Sequence, residues 1–464
     1  MKQTVLLLFA LWGLSLSASN NVKLSFNIGS GAHKEIFLKV FKNYITRDVW
    51  DYKCTLDSLG KGFIEFSLDR PREAFMHTSL GNTMLFLTPA DDMEVIFSYN
   101  DLANTLTFNG AGSENNNFIK EYTNKLHDPY CGAKLVKDGM SIKDYKATIF
   151  KRLDDRKALY LSYKQTHNVT PAFEYYAQGL VDYTSLKELI YFSYNMNSAG
   201  RSFPNKEEFY SFLKPDYFDN DSLLKYTQEY MSTASLYTWL LPIDVKKVPD
   251  CSKDYQTYIT VHQGDTRDVL TASFLCSTIN DHKEWDAEFA HFKTITSNRE
   301  VVDLVNTAVT LSKQREISKE ALSTLFTATD GKTLSLSQLI SANKGKIIYI
   351  DIWALTCAPC IKEMPELEKL KSELKDYPFV AISLCVEENN QKWIDFLAKK
   401  AIPTENQFVI NDGLLAPFCK EYIVNSFPRF FIIGADGKMV NTNAKRPSDK
   451  ELRVELMNQM RRKK

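Results

Sequence analysis

The clearest chemistry in this sequence belongs to two cysteines that are separated by two residues, Cys357 and Cys360. They follow a run of β-branched and aromatic residues, Ile347, Ile348, Tyr349, Ile350 and Ile352. They precede apolar residues at steps of three and four, Met364, Leu367, Leu370 and Leu374. The first pattern predicts a strand buried on both faces, and the second predicts one face of a helix. The cysteines should therefore lie at a strand-to-helix turn.

This placement predicts thiol–disulfide exchange. The free N–H groups and the dipole at the start of a helix favour negative charge, so a thiolate there has a lowered pKa. We assign Cys357 as the attacking thiolate. Cys360 is the resolving thiol, which attacks the mixed disulfide, releases the reduced substrate and leaves a disulfide between the two cysteines.

Length and charge limit the classes of protein to consider. A chain of 464 residues is too long for one hydrophobic core and suggests about two to four domains. The 57 basic and 57 acidic residues cancel, so no overall field favours nucleic acid or an anionic membrane. We expect neither as a partner.

Residues 1–19 have the pattern of a secretory signal peptide. Lys2 precedes an uncharged apolar run from Thr4 to Leu16, and small residues follow at Ser17, Ala18 and Ser19. About 15 apolar residues fall short of the ~20 that span a bilayer, which favours cleavage over a membrane anchor. We expect the mature protein to be exported and periplasmic.

Six further cysteines lie outside the pair, and an oxidising compartment would allow them to form disulfides. Their wide, irregular spacing does not resemble a small disulfide framework. Buried free thiols are as good an interpretation as pairing, and the favoured structural pair is Cys251 with Cys276.

The sequence patterns divide the chain into three regions after the signal. Short strands at roughly ten-residue intervals predict an antiparallel β-sandwich over residues 20–112. A polar stretch, GSENNN, then begins a mostly α-helical region over residues 113–317. Its aromatic residues at helical spacing, including those between Phe173 and Tyr194, indicate core packing rather than a ligand platform.

The sequence of residues 318–464 predicts an α/β unit, because strand patterns alternate with helical patterns. A hairpin is predicted around Asp330 and Gly331, before the strand that precedes the cysteines. The last helix is expected to start with a capping box formed by Ser448 and Glu451.

The order of motifs in this unit resembles the thioredoxin fold. A hairpin and a strand are followed by W-A-x-x-C-x-P-C, a helix with E-M-P, the segment Tyr-Ile-Val-x-x-Phe-Pro and a closing hairpin. More narrowly, residues 318–464 resemble the exported TlpA/ResA-like thiol:disulfide oxidoreductases. The segment NAKRPSDKEL and the preceding regions are similar to multi-domain members of that family in Bacteroides-type bacteria.

The resemblance implies catalytic roles for four residues. Cys357 corresponds to an exposed nucleophile and Cys360 to a buried resolving thiol. Asp351 matches a buried acid beneath the cysteine pair, where a desolvated carboxylate can take the proton of the resolving thiol. Glu363 matches an acidic residue of the ResA-like branch, and its titration would be coupled to that of Asp351.

The resemblance also implies substrate contacts. Pro428 matches a cis-proline against the cysteine pair, which lets the backbone of Phe427 pair with an extended substrate segment. Trp353 matches a tryptophan packed beside the site, whereas Thr356 replaces the tryptophan usual before the first cysteine. Pro359 between the cysteines is thioredoxin-like and favours a reductase. The expected partners are disulfide-containing exported proteins and a membrane-linked thiol donor, with no cofactor.

Three alternatives compete with this interpretation. A zinc site with Cys385 and Cys419 lacks a second C-x-x-C, so no metal is expected. A peroxiredoxin needs proline and threonine seven and three residues before its cysteine, where this chain has Ile350 and Ala354. A peptide- or glycan-binding exported protein with an accessory redox domain stays open, because nothing before residue 318 carries recognisable chemistry.

Overall fold

The computed structural model describes residues 20–46, 48–78, 80–240, 244–279, 283–387 and 390–461. The predicted signal peptide, residues 1–19, lies outside them. The described residues form two compact units. The first contains the described residues up to Val40, Asp51–Lys125 and Leu161–Phe173, and the second contains Phe41–Trp50, Leu126–Tyr160 and the described residues from Glu174 onward. The boundary predicted between residues 317 and 318 thus falls inside the second unit.

The N-terminal region contains two four-stranded sheets, with strand orders β4-β1-β7-β8 and β3-β2-β5-β6. Buried residues alternate with exposed ones along β1 and β7, as expected for strands with one covered face. Short strands over residues 21–111 agree with the prediction of strands at roughly ten-residue intervals. The strands are β1 (Asn21–Gly29), β2 (Glu35–Phe41), β3 (Val49–Thr55), β4 (Lys61–Ser67), β5 (Arg72–Thr78), β6 (Gly81–Leu87), β7 (Asp92–Ser98) and β8 (Thr107–Ala111).

The antiparallel prediction for this region is wrong for one pair of strands. β1 runs parallel to β7, with Leu24 opposite Met93 and Phe26 opposite Val95. Alternation of apolar residues does not encode pairing direction, because parallel and antiparallel neighbours both turn every second side chain to the same face. The sequence pattern could therefore indicate strands but not this topology.

Helices dominate the chain from residue 102 to residue 322. A π-helical turn, Gly179–Tyr183, interrupts the predicted helical stretch near Phe173, and a 3₁₀ turn occupies Pro215–Phe218. The helices are α1 (Leu102–Thr105), α2 (Ser113–Leu126), α3 (Ala133–Lys137), α4 (Ile142–Thr166), α5 (Pro171–Gln178), α6 (Thr184–Ser198), α7 (Lys206–Tyr210), α8 (Asp221–Leu224), α9 (Gln228–Tyr237), α10 (Lys253–Val261), α11 (Gly264–Ser277), α12 (Trp285–Ile295), α13 (Arg299–Lys313) and α14 (Lys319–Leu322).

A buried ion-pair network anchors α6 to α4. Glu188 has no exposed surface, and its carboxylate accepts hydrogen bonds from Arg156 at 2.5 Å and from Arg152 at 3.1 Å. Arg156, also fully buried, donates to Ser185 Oγ at 2.6 Å. Because a buried charge is costly unless it is paired, this network fixes the side of α6 that faces α4.

The C-terminal region is the α/β unit that the sequence predicts. Its sheet has the strand order β10-β9-β13-β12-β11-β14-β15, in which β11, β12 and β13 are mutually parallel. The strands are β9 (Leu325–Ala328), β10 (Thr333–Ser335), β11 (Ile347–Trp353), β12 (Phe379–Cys385), β13 (Gln407–Ile410), β14 (Arg429–Ile433) and β15 (Met439–Asn441). The helices are α15 (Leu336–Ala342), α16 (Ala358–Glu373), α17 (Asn390–Lys399), α18 (Pro417–Glu421) and α19 (Lys450–Arg461), with a 3₁₀ turn at Gly413–Leu415.

Strand β11 is buried at all seven positions, which confirms the prediction of a central strand. Ile348 and Ile350 belong to one apolar cluster, whereas Ile347 and Tyr349 belong to another that includes leucines of α16 and α19. Each large aliphatic side chain buried in this way contributes about 1.5–3 kcal/mol. Both layers hold β11 rigidly, and the cysteine pair follows at its end.

Candidate active site

The cysteine pair lies at the β11–α16 junction, as predicted. Cys357 is the N-cap residue of α16, and its Sγ accepts a hydrogen bond from the backbone N–H of Cys360 at 3.2 Å. The two residues form a disulfide bond. Cys357 is partly exposed, whereas Cys360 is only 2% exposed. An incoming group can therefore reach the sulfur of Cys357 but not that of Cys360.

A buried cluster supports Cys360 from below. It consists of Trp353, Cys385, Trp393, Leu397 and Val409. Trp353 has no exposed surface, so it supports the cysteine pair and does not line the surface that a substrate would contact. Its burial follows from its place at the end of β11, opposite Cys385 of β12.

Asp351 is buried in β11, opposite Ser383 of β12. Burial raises the pKa of its carboxyl group to about 7, because the charged form is poorly solvated there. The hydroxyl of Ser383 donates to its Oδ2 at 3.4 Å and, with the charge of Lys371, opposes this rise in pKa. The carboxyl group can therefore gain or lose a proton near neutral pH, as a proton-transfer residue must.

Glu363 is a second buried carboxylate near the start of α16. It accepts hydrogen bonds from the backbone N–H of Ser448 at 3.0 Å and from Ser448 Oγ at 2.8 Å. The predicted capping box of α19 is therefore wrong. Ser448 bonds to Glu363, and the backbone N–H of Glu451 donates to Asp449 instead, because the buried carboxylate needs those two donors.

The peptide bond between Phe427 and Pro428 is cis, as the family resemblance implies. Phe427 and Pro359 line the same cavity as Cys357. Phe427 and Pro428 also line a second cavity of about 650 Å3, so the cis-proline loop separates two openings.

Hydrogen bonds on both sides of the cis-proline loop tie it to α11. The amide nitrogen of Asn425 donates to Ser273 Oγ at 3.3 Å. The guanidinium of Arg429 donates to the carbonyl oxygen of Ser277 at 2.5 Å, one helical turn further along α11. The helical region thus holds the loop that faces the cysteine pair.

The larger cavity, of about 920 Å3, extends from Cys357 to the helical region and is the main feature that sequence reasoning missed. Helices α6 and α9 form its walls, with side chains at helical spacing. The lining of α6 includes Lys187, Ile190, Tyr191, Tyr194 and Asn197, and that of α9 includes Gln228, Met231, Ser232, Ser235 and Leu236.

Two tyrosines of α6 correct the prediction that the aromatic residues of this stretch only pack in the core. Tyr191 and Tyr194 are half-buried and line the cavity, whereas the neighbouring Phe192 is fully buried, as predicted. The hydroxyl of Tyr194 donates to the carbonyl oxygen of Thr356 at 2.6 Å. Thr356 is exposed and lines the cavity, so this position beside Cys357 is accessible.

The favoured disulfide between Cys251 and Cys276 is wrong, because both are free thiols packed around the helical core. Burial raises the pKa of Cys276 and of Cys385 to about 12. Such thiols hold little thiolate near neutral pH and are poor nucleophiles. Cys54 and Cys131 are free as well, and Cys419 forms no disulfide.

The described residues contain no group of three or more His, Cys, Asp or Glu side chains that could hold a metal ion. Within the same ranges, no helix is long and apolar enough to cross a membrane.

Comparison with known proteins shows that the C-terminal region is similar to redox proteins. The Redoxin family model matches residues 307–456. Thiol-disulfide oxidoreductase ResA of Bacillus thuringiensis subsp. konkukian is 30% identical over 131 residues, which are 28% of this chain and 71% of that protein. The chloroplastic protein SUPPRESSOR OF QUENCHING 1 of Arabidopsis thaliana is 29% identical over 99 residues, which are 21% of this chain and only 9% of that protein.

Among solved structures, a Bacteroides vulgatus protein provisionally assigned as a thiol-disulfide oxidoreductase is 30% identical. The match covers 31% of this chain and 90% of that one, with a TM-score of 0.27. A thiol-disulfide oxidoreductase from Bacteroides fragilis is 20% identical, with 30% and 98% coverage and a TM-score of 0.26.

Proposed function

This chain belongs to the ResA-like thiol-disulfide oxidoreductases of the thioredoxin-like superfamily, and from that premise we propose that it reduces disulfide bonds of exported proteins. The observation that carries the proposal is the unequal exposure of the two bonded cysteines. Cys357 opens into a large cavity, whereas Cys360 is buried beneath it. This is the arrangement that an attacking and a resolving thiol require.

The reaction starts from the reduced dithiol. The thiolate of Cys357 attacks one sulfur of the substrate disulfide, which forms a mixed disulfide and releases the other substrate sulfur as a thiolate that takes up a proton. Cys360 then gives up its proton and attacks the sulfur of Cys357. The mixed disulfide breaks, the second substrate sulfur leaves as a thiolate and is protonated, and two electrons have passed to the substrate. The protein ends with the disulfide present in the structure.

Asp351 is suited to receive the proton of Cys360. Its carboxyl group is buried, and its raised pKa, about 7, allows the ionised form to act as a base near neutral pH. Glu363, held by Ser448, is a second buried carboxylate at the start of α16. We assign Asp351 as the main proton acceptor and Glu363 as a group whose charge tunes the titration of Asp351.

The substrate would bind against the cis-proline loop. The backbone of Phe427 would pair with an extended segment of the substrate, and Thr356 and Pro359 would border the attacked sulfur. Trp353 would contribute indirectly, because it packs in the buried cluster that contains Cys360.

Reduction is the proposed direction, in the periplasm and with electrons from a membrane-linked thiol donor. Pro359 between the cysteines supports this direction, because strong oxidants stabilise their thiolate with a different residue there. The signal pattern at residues 1–19 supports export.

Substrate trapping tests the reaction. In the full chain, Cys360→Ser should accumulate mixed disulfides with exported proteins through Cys357, because the resolving thiol is gone. The matched control, Cys357→Ser with Cys360→Ser, should capture none. If folded Cys360→Ser protein captures no exported protein, the proposed function fails.

The reduction potential tests the direction. We expect a value near that of thioredoxin, about −270 mV. A value near that of a strong oxidant, about −120 mV, would reverse the proposed electron flow.

A further inference from the structure

The walls of the 920 Å3 cavity above Cys357 come mainly from α6 and α9 of the helical region. Ligand pockets typically enclose about 300–1,000 Å3. The cavity is thus large enough for a peptide segment that enters beside the cis-proline loop. A substrate that reaches Cys357 by this route contacts the helical region before it reacts.

The charged side chains that line this cavity in the described part of the chain are positive. Lys187 and Lys206 are its only charged lining residues among those that the structure describes, and no aspartate or glutamate lines it. Lys187 is neutralised by Glu229, at 2.8 and 3.0 Å. Lys206 is partly buried, and no described carboxylate pairs with it. Glu207 follows it in the chain but is exposed and outside the lining.

The rest of the lining is largely apolar and aromatic. Tyr191 and Tyr194 stand on α6 with their rings at 90° and 6.0 Å apart, and Trp239 and Phe427 complete an aromatic border. Such rings provide contact area for an apolar side chain, while a partly desolvated cation favours a carboxylate.

We propose that this cavity selects the substrate, which is an extended peptide segment that carries an acidic side chain next to its disulfide cysteine. The ammonium group of Lys206 binds the carboxylate of that side chain. The inference deepens the proposed function and rests on it. Because the charge lies on the wall and not on the reacting sulfurs, selection should appear as a preference between substrates rather than as a change in the chemistry.

Two disulfide-cyclised peptides that differ only in Glu or Lys beside one cysteine provide the test. The second-order rate constant for their reduction is measured with the reduced full chain in single turnover. We expect the acidic peptide to react about five- to tenfold faster at low salt, and the ratio to fall as salt is raised, because the attraction is electrostatic. If the wild type reduces the acidic and the basic peptide at nearly equal rates, the inference is wrong, regardless of the results for the variants.

Variants locate the effect. Lys206→Glu should lower the ratio by about tenfold, and Lys206→Arg should keep it, because the charge is retained. The exposed Lys375 of the same compact unit serves as a control, and Lys375→Glu should leave the ratio unchanged. An unchanged ratio in folded Lys206→Glu would contradict the assignment.

A neutral disulfide, 2-hydroxyethyl disulfide, separates this inference from the proposed function. If the wild type reduces it through Cys357 but shows no charge preference, only the inference fails. If neither this disulfide nor either peptide is reduced, the proposed function itself fails.

Discussion

The hydroxyl of Tyr194 in α6 donates a hydrogen bond of 2.6 Å to the carbonyl oxygen of Thr356, the residue immediately before Cys357. The helical region thereby holds the backbone next to Cys357. A hydrogen bond of this kind contributes about 0.5–1.5 kcal/mol, which is enough to alter the position of the loop without unfolding it.

Tyr194→Phe removes this hydrogen bond and keeps the ring in the cavity. We expect the rate constant for peptide disulfide reduction to fall by about three- to tenfold, because the loop before Cys357 loses its anchor. Tyr191→Phe is the matched control, since Tyr191 lines the same cavity but its hydroxyl has no hydrogen-bond partner among the described residues. An equal loss in both variants would contradict a special role for the Tyr194–Thr356 contact.

Asp351→Asn should change the pH dependence of turnover. With a pKa of about 7, the carboxyl group of Asp351 is ionised above neutral pH and can accept the proton of Cys360, so the resolving step should accelerate as pH rises through 7. After burial, which raises this pKa, and the hydrogen bond from Ser383, which lowers it, the charge of Lys371 lowers the pKa of Asp351 and the charge of Glu363 raises it. Asparagine cannot accept the proton, so the rate should fall about a hundredfold near pH 7 and the transition should disappear.

Rapid-quench measurement of substrate release from the mixed disulfide checks this effect directly. Attack by Cys357 occurs before this step and should change little. If Asp351→Asn retains the ascending limb near pH 7, another group accepts the proton.

The buried carboxyl group of Asp351 should also lower the free energy of unfolding at neutral and higher pH. The folded-state pKa, about 7, lies above the unfolded value of about 3.9. Between these values the folded state binds the proton and the unfolded state does not, so stability falls as pH rises and stays low above 7. Asp351→Asn should be the more stable protein at pH 8, by roughly 4 kcal/mol at most, and no more stable than the wild type near pH 4. Urea unfolding at both pH values measures the difference, and an equal difference at both would contradict this account.

The part of the site that depends on local pattern could be predicted from the sequence. The run around Ile350 predicts β11, and the helical spacing after it predicts α16, so the position of Cys357 at their junction follows. These patterns indicate burial and the periodicity of a strand or a helix, and both can be recognised within a short stretch of sequence.

The contacts between distant residues could not be predicted in the same way. Helical spacing places Tyr191, Phe192 and Tyr194 around α6 but does not tell which side meets a core and which meets a cavity. The bond between Ser448 and Glu363 joins residues 85 positions apart, and only the packing of α19 against the sheet brings them together. The free state of Cys251 likewise depends on Cα distances and side-chain directions that spacing does not contain.

Arg156→Leu should destabilise the unit that carries the cavity. Removing one partner of a buried ion pair leaves Glu188 incompletely compensated and typically costs about 3–5 kcal/mol. Lys151→Ala on the same helix is the matched control, because the Lys151–Asp155 pair is 74% and 45% exposed and should contribute at most about 0.5 kcal/mol. Urea unfolding measures both, and similar midpoints for the two variants would contradict the role assigned to the network.

Arg429→Met tests whether α11 positions the cis-proline loop. The guanidinium of Arg429 donates to the carbonyl oxygens of Ser277 at 2.5 Å and Thr442 at 3.1 Å, and it follows Pro428 directly. Methionine fills similar space but leaves both acceptors without these charged donors. Because the role proposed for the loop is to bind substrate, KM for a peptide disulfide should rise by about three- to tenfold with little change in kcat. Ser312→Ala serves as a control, since Ser312 lines a small cavity beside Arg429 while its hydroxyl bonds within its own helix. A fall in kcat with unchanged KM would place Arg429 in the chemistry rather than in positioning the loop.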